Sequence, residues 1–125
     1  MERSKKTVLV VDDNPKMLEL LALKLTGEGY RVITAQSGAD ALEVIKMEKP
    51  GLVLLDIMMP DMNGFETLNR IKELESDIPV AMVTAIWDKD EAKRAFDAGA
   101  YEYITKPVDI SHLKMVVLTK LFPDE

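Results

Sequence analysis

LVLLDIMMPDMNG, Leu52 to Gly64, is the stretch whose reading decides the fold. Four consecutive apolar residues, Leu52 to Leu55, read as a strand buried on both faces. They run into one acid, Asp56, followed by the loop formers Pro60 and Gly64. An apolar strand that stops on a carboxylate places it at the rim of a sheet. Sinking the charge into the core would be costly, so it is expected in a crevice that faces solvent, a metal or a substrate.

Upstream, Thr7 to Val11 is a second apolar run that ends on acids, Asp12 and Asp13. Asn14-Pro15 then starts a helix, because Asn is a good N-cap and the first turn does not need the N–H that Pro lacks. Leu18, Leu21, Ala22 and Leu25 give that helix one apolar face, and Gly27 and Gly29 stop it. Tyr30 to Ala35 alternates and is rich in β-branched residues, which predicts a strand. Ser37 with Asp40 resembles a capping box, and Ala41, Leu42 and Ile45 form the stripe of a second helix that ends before Pro50.

Downstream, Phe65, Leu68 and Ile71 mark a third helix, and Pro79 to Thr84 a fourth strand. Asp88 and Glu91 bracket the start of a fourth helix, with Trp87 beginning it and Gly99 closing it. Tyr101 to Ile104 is a short fifth strand. A last helix, from about Asp109 to Leu121, carries Ile110, Leu113, Val117 and Leu121 on its inner side. Five alternating βα units predict a parallel sheet with right-handed crossovers and helices on both faces, the flavodoxin-like doubly wound fold with strand order 2-1-3-4-5. Ligands of such sheets bind at the carboxyl ends of the strands where the order reverses, here between the first and third strands. Asp12, Asp13 and Asp56 therefore converge at the predicted switch point.

At separations of about 5 Å and an effective dielectric near 20, each carboxylate pair repels by roughly 3 kcal/mol. The cluster must either hold a proton at a raised pKa or bind a cation. Oxygen ligands without His or Cys suit a hard ion, and few protein ligands with several waters suit Mg²⁺ better than Ca²⁺. The competing reading, that acids after strands only cap helices, weakens once three converge. Thr84 ends the fourth strand with a hydroxyl, and Lys106, followed by Pro107, comes shortly after the fifth. A metal, an ammonium and a hydroxyl around one carboxylate form a cradle for a phosphoryl group, with Asp56 as nucleophile.

The 125 residues fit one domain, 1–125, large enough to bury a core without staples. There are no cysteines, which fits a reducing interior. No run approaches the roughly 20 apolar residues of a membrane span, and MERSKK lacks the apolar stretch of a signal peptide, so a cytoplasmic location and no membrane partner are expected. A net charge of −6 argues against broad electrostatic binding of nucleic acid.

Taken together, the acidic pair Asp12-Asp13, Asp56 opening a D-x-x-M-P-x-M-x-G segment, Thr84-Ala85 and Lys106-Pro107 resemble, in order and spacing, the receiver domain of two-component response regulators over nearly the full chain. The resemblance implies that Asp56 takes a phosphoryl group from a phosphohistidine on a sensor histidine kinase or histidine phosphotransfer protein. It implies that Asp13, Asp56 and the main-chain carbonyl of Met58 hold Mg²⁺, with Asp12 acting through water. Lys106 would pair with the phosphoryl oxygens, aimed by a cis peptide before Pro107, and Thr84 would donate its hydroxyl to one of them. Such a domain is a phosphorylation-dependent switch with intrinsic transfer and self-dephosphorylation, not an enzyme in the ordinary sense.

The same resemblance implies that Thr84 and Tyr103 report the state of Asp56 to a face made by the fourth helix, fifth strand and fifth helix, read by a downstream effector protein or domain. Apolar Met58 and Ile86 stand at positions where polar residues orient the attacking water, so a slow self-dephosphorylation is expected. Kinase docking falls on Asn14, Pro15 and Met17 with Pro107 and Val108, while Leu18 and Leu21 must also face the core. Trp87 is a candidate partner anchor. His112 is expected at the surface, and Met58, Met59 and Met62 serve packing, not a soft metal. A Mg²⁺-dependent phosphatase would carry D-x-D after the first strand and a cap domain, and no G-x-x-x-x-G-K-[ST] or G-x-G-x-x-G supports a nucleotide site. A binding-only receiver would be free to lose the acids, threonine and lysine that this chain keeps. The chain stops at Phe122 to Glu125, about where the fifth helix should, which fits a stand-alone receiver or a piece of a larger regulator or kinase.

Overall fold

In a computed structural model the described residues are 4–59 and 62–121, with side chains at 4–6, 110 and 117–121 outside the description. Expectations for Pro60, for the inward faces of Ile110, Val117 and Leu121 and for Phe122 to Glu125 lie outside the described residues. The elements alternate strictly: β1 Ser4–Val11, α1 Pro15–Gly27, β2 Arg31–Ala35, α2 Gly38–Glu48, β3 Pro50–Asp56, α3 Gly64–Leu74, β4 Val80–Thr84, α4 Lys89–Asp97, β5 Glu102–Thr105 and α5 Ile110–Leu121. All strand pairs are parallel and the order is β2-β1-β3-β4-β5, as the alternation implied. Among the described residues no helix is long and apolar enough to cross a membrane.

Strand side chains alternate between two apolar layers. Val8, Val10, Leu52, Leu54, Ala81, Val83 and Ile104 pack against Leu18, Leu21 and Leu25 of α1 and Leu113 and Val116 of α5. Leu9, Val11, Val53, Leu55, Val80, Met82 and Tyr103 pack against α2, α3 and α4 through Ala41, Ile45, Phe65, Leu68, Ile71, Ala92 and Ala95. Every residue of β3 is buried, which is why its sequence is a continuous apolar run and not an alternation.

Helix starts follow the side-chain chemistry. Asn14 accepts from Lys16 and Met17 N–H, Ser37 from Asp40 N–H, Asn63 from Glu66 N–H, and Asp88 from Asp90 and Glu91 N–H. Two sequence expectations need correction. Trp87 does not begin α4: it precedes the cap Asp88, whose carboxylate satisfies the first-turn amides that Trp87 cannot. Gly64 is not in the loop but opens α3. The first helix does run through Gly27, and Gly29 ends the turn at φ +95°, a conformation that costs glycine little.

Candidate functional site

The parallel register builds the site rung by rung. Val11 lies opposite Leu55, so Asp12, the next residue, comes beside Asp56. Asp56 lies opposite Val83, and Thr84 is one rung beyond. Thr84 lies opposite Thr105, and Lys106 follows. Four strands thus deliver their last or next residue to one edge of the sheet.

There the carboxylates meet. Asp12, Asp13 and Asp56 each place an oxygen within 4.8 Å of the others. Asp12 and Asp56 are buried, whereas Asp13 is exposed. Asp56 is only 4% exposed, deeper than a crevice facing solvent would suggest. Its burial is made tolerable by Lys106, whose Nζ lies 3.0 Å from Asp12 Oδ2 and 3.5 Å from Asp56 Oδ1. The Lys106-Pro107 peptide is cis, as the resemblance implied.

Burial, reinforced by the Asp12 charge, pushes Asp56 up to about 6, against the opposing pull of Lys106 and the Met58 amide. Burial pulls Lys106 down, but its hydrogen bond to Asp12 and the charges of Asp56 and Asp12 outweigh that and hold it above its ordinary value. Both Asp12 oxygens have partners: Oδ1 accepts the Asn14 N–H at 2.9 Å and Oδ2 accepts from Lys106. The Asp13 carboxylate is the exposed member of the cluster.

The two loops beyond the site are held differently. Gly64 N–H donates to Ile57 O at 2.9 Å. A Cβ at Gly64 would stand 2.6 Å from Asp56 O and Ile57 Cα, so no larger residue lets α3 start this close to β3. Next to it, Phe65 carries the Arg94 guanidinium 4.0 Å over its ring, a cation–π contact between α3 and α4. Across the site, residues 85–90 are all exposed. Thr84 Oγ1 is buried and accepts the Ile86 N–H at 3.4 Å. The Tyr103 hydroxyl lies 3.1 Å from Ile86 O and 2.9 Å from Glu91 Oε1, and Trp87 sets its ring edge-on to Tyr103 at 5.5 Å. Burial, followed by the hydrogen bond to Glu91, pushes the Tyr103 phenol up to about 12.

The chain matches the family model described as "Response regulator receiver domain" over residues 8–118. The chain belongs to the response regulator receiver domain family. It is a signalling switch of two-component systems by that membership. It is 42% identical over 102 residues to the transcriptional regulatory protein GlrR of Escherichia coli, covering 82% of this chain and 23% of that protein. Among solved structures, a CheY-like receiver domain from Methanospirillum hungatei superposes with a TM-score of 0.89 at 35% identity, covering 94% of each chain. A chain of the CheX-CheY-BeF3-Mg complex from Borrelia burgdorferi does so with a TM-score of 0.86 at 32% identity, covering 90% of this chain and 87% of that one. The receiver spans a quarter to about half the length of the first curated relatives it matches.

Of the residues singled out from sequence, Asp12, Asp13, Asp56 and Lys106 come together directly, and Thr84 shares their rim. Met58 and Ile86 stand exposed beside it at 69% and 67%. Asn14, Pro15 and Pro107 are exposed and Met17 and Val108 half-buried, while Leu18 and Leu21 are buried and leave the docking surface. His112 is exposed on α5. Sequence reasoning assigned Gly64 to a loop and Glu91 only to a helix start. The close approach behind one and the tyrosine contact behind the other depend on separate elements.

Proposed function

We propose that Asp56 is the phosphoacceptor of this receiver domain, charged by a phosphohistidine on a sensor histidine kinase or histidine phosphotransfer protein in a cytoplasmic two-component or phosphorelay pathway. A carboxylate oxygen of Asp56 attacks phosphorus, the P–N bond to the imidazole breaks, an acyl phosphate forms and the imidazole leaves with a proton. The observation that carries the reading is the buried Asp56 carboxylate set between two further acids and the Lys106 ammonium.

The donor set fits a hard divalent ion: three carboxylates and no nitrogen or sulfur ligand. Asp13, Asp56 and the Met58 carbonyl would hold Mg²⁺, and the engagement of both Asp12 oxygens supports an indirect, water-mediated part for Asp12. When bound, the ion supplies positive charge that offsets the charge on the transferred group. Lys106 releases Asp56 Oδ1 to grip a phosphoryl oxygen, and Thr84 turns its hydroxyl to another, giving up the Ile86 amide. In-line positioning and charge neutralisation suffice for this chemistry, so the same domain transfers the group to itself and hydrolyses it.

Thr84 and Tyr103 carry the change to the face of α4, β5 and α5, where a downstream effector protein or domain reads it. Asn14, Pro15, Met17, Pro107 and Val108 form the donor's docking surface. GlrR bears the name of a transcriptional regulator, so contact with nucleic acid belongs, in this reading, to a segment or partner other than this acidic receiver. The test is incubation with a small-molecule phosphodonor and Mg²⁺ followed by intact mass. One added phosphoryl group, lost in Asp56→Ala, is expected. No addition to the wild-type chain overturns the assignment.

A further inference from the structure

The chain has eight methionines and no cysteine, so thioethers are its only side-chain sulfur. Met59 and Met82 are buried, whereas Met47, Met58 and Met115 are exposed. The bland account of an exposed methionine is a soft, adaptable contact for a partner. Met58 differs from the other two in its position. It lies two residues beyond Asp56, and its own amide N–H bonds the Asp56 carboxylate. Its side chain stands 69% exposed above a residue that is only 4% exposed. The Met58 thioether therefore leaves the main chain at the lip of the site, and dissolved oxidants reach it there without any opening of the fold.

A thioether sulfur is a weak acceptor and holds water poorly, but its sulfoxide is polar and carries an oxygen that accepts hydrogen bonds. We propose that Met58 is a redox modification site: a dissolved peroxide converts its thioether to the sulfoxide, and the new oxygen holds a water beside the acyl phosphate and shortens the life of the phosphoryl group. In the oxidation the sulfur lone pair attacks one peroxide oxygen, the O–O bond breaks and an S–O bond forms. Sulfur loses two electrons, and the second peroxide oxygen leaves as water. The inference rests on the reading of Asp56 as phosphoacceptor and adds to it a reversible control, since sulfoxide reductases restore the thioether. An oxidising milieu thus clears the switch faster, with no change in net charge and no buried residue disturbed.

The experiment uses the full chain as wild type, as Met58→Leu, and as the Met47→Leu/Met115→Leu pair, which removes the two exposed methionines named above that lie away from the site. Each is treated with hydrogen peroxide and the peroxide is removed. Peptide mass then locates the added oxygens. Treated and untreated samples are next charged with acetyl phosphate and Mg²⁺, the donor is removed, and the decay of the phosphoryl group is followed by intact mass. Every variant is compared with its own untreated form.

Met58, Met47 and Met115 are expected to gain oxygen before Met59 and Met82, in line with their exposure. Peroxide should shorten the phosphoryl lifetime of wild type about threefold, less than full general-base assistance because the sulfoxide only orients the water. A methionine sulfoxide reductase should restore it. The Met47→Leu/Met115→Leu pair should show the same shortening, and Met58→Leu none. A Met58 that stays reduced while Met47 and Met115 oxidise overturns the inference, as does an unchanged lifetime in oxidised wild type or an equal shortening in Met58→Leu. Each of these leaves Asp56 chemistry intact. An untreated wild-type chain that gains no phosphoryl mass overturns the phosphoacceptor reading, and this inference falls with it.

Discussion

The loops that leave β3 and β4 border the same carboxylate but are held in opposite ways. After β3, main chain rests on main chain: Gly64 donates to Ile57 O, and its bare Cα is pressed against Asp56 O. After β4, residues 85–90 are exposed and hang on side-chain hydrogen bonds, a 3.4 Å contact to Thr84 Oγ1 and the Tyr103 hydroxyl. A seat must not move when the group arrives, and a reporter must. Packed backbone gives the first property, and few, replaceable hydrogen bonds give the second.

The comparison breaks most readily at the seat. Gly64→Ala forces a methyl into backbone that cannot rotate away, and a loss of about 3 kcal/mol in chemical denaturation is expected, together with slowed phosphoryl uptake by intact mass. A variant of wild-type stability would show the seat to be soft.

Asp56→Asn tests what the seat costs. The folded-state pKa of about 6 lies above the ordinary 3.8, so protonated Asp56 favours the fold. That contribution is full below pH 3.8 and is lost as pH rises through about 6, a difference of about 3 kcal/mol in the absence of divalent ions. Asn has no charge to bury, and Lys106 keeps its 3.0 Å pair with Asp12. The variant is therefore expected to unfold at higher denaturant than wild type at pH 8, with most of that gap closed at about pH 4.5 and nearly all of it by about pH 3.5. Added Mg²⁺ should stabilise the wild type at pH 8 and the variant much less. A pH-independent difference would sink the electrostatic account.

Thr84→Ala addresses the reporter more than the seat. Phosphoryl uptake should stay within about fivefold of wild type, since a hydroxyl contributes one hydrogen bond, while the change on phosphorylation in the emission of Trp87, the sole tryptophan and edge-on to Tyr103, is lost. Loss of uptake with an intact emission step would reverse the roles of the two loops. The smallest effect is expected at the lips of the site. Met58→Asn with Ile86→Glu places polar groups where exposed apolar chains now stand, and the phosphoryl lifetime, followed by mass after donor removal, should shorten about tenfold, less than the roughly hundredfold or more of full general-base assistance because these groups only orient the water. An unchanged lifetime would contradict the expectation of slow self-dephosphorylation.

The rim of the sheet was legible in the chain because each apolar run ends on a polar residue, so Val11-Asp12, Leu55-Asp56 and Val83-Thr84 mark their own boundaries. Parallel alternation then placed those ends on one edge. Helix caps were equally plain at Asn14 and Ser37, whose side chains act within three residues. What escaped reading depends on pairs far apart in the chain. Gly64 looks like any loop glycine until the backbone of Asp56 is set against it. Glu91 looks like any first-turn acid until Tyr103 arrives from β5. Trp87 was misplaced because Asp88 and the residue before it are both compatible with a helix start, and only the carboxylate-to-amide bonds decide between them.

Neighbouring residues of β5 look in opposite directions: Tyr103 joins the layer of α2, α3 and α4, and Ile104 joins that of α1 and α5. The sheet is thus a partition. On the proposed reading, a donor at the head of α1 would meet one layer and a listener on α4 the other, with α5 the one helix of the proposed output face that lies on the donor's side.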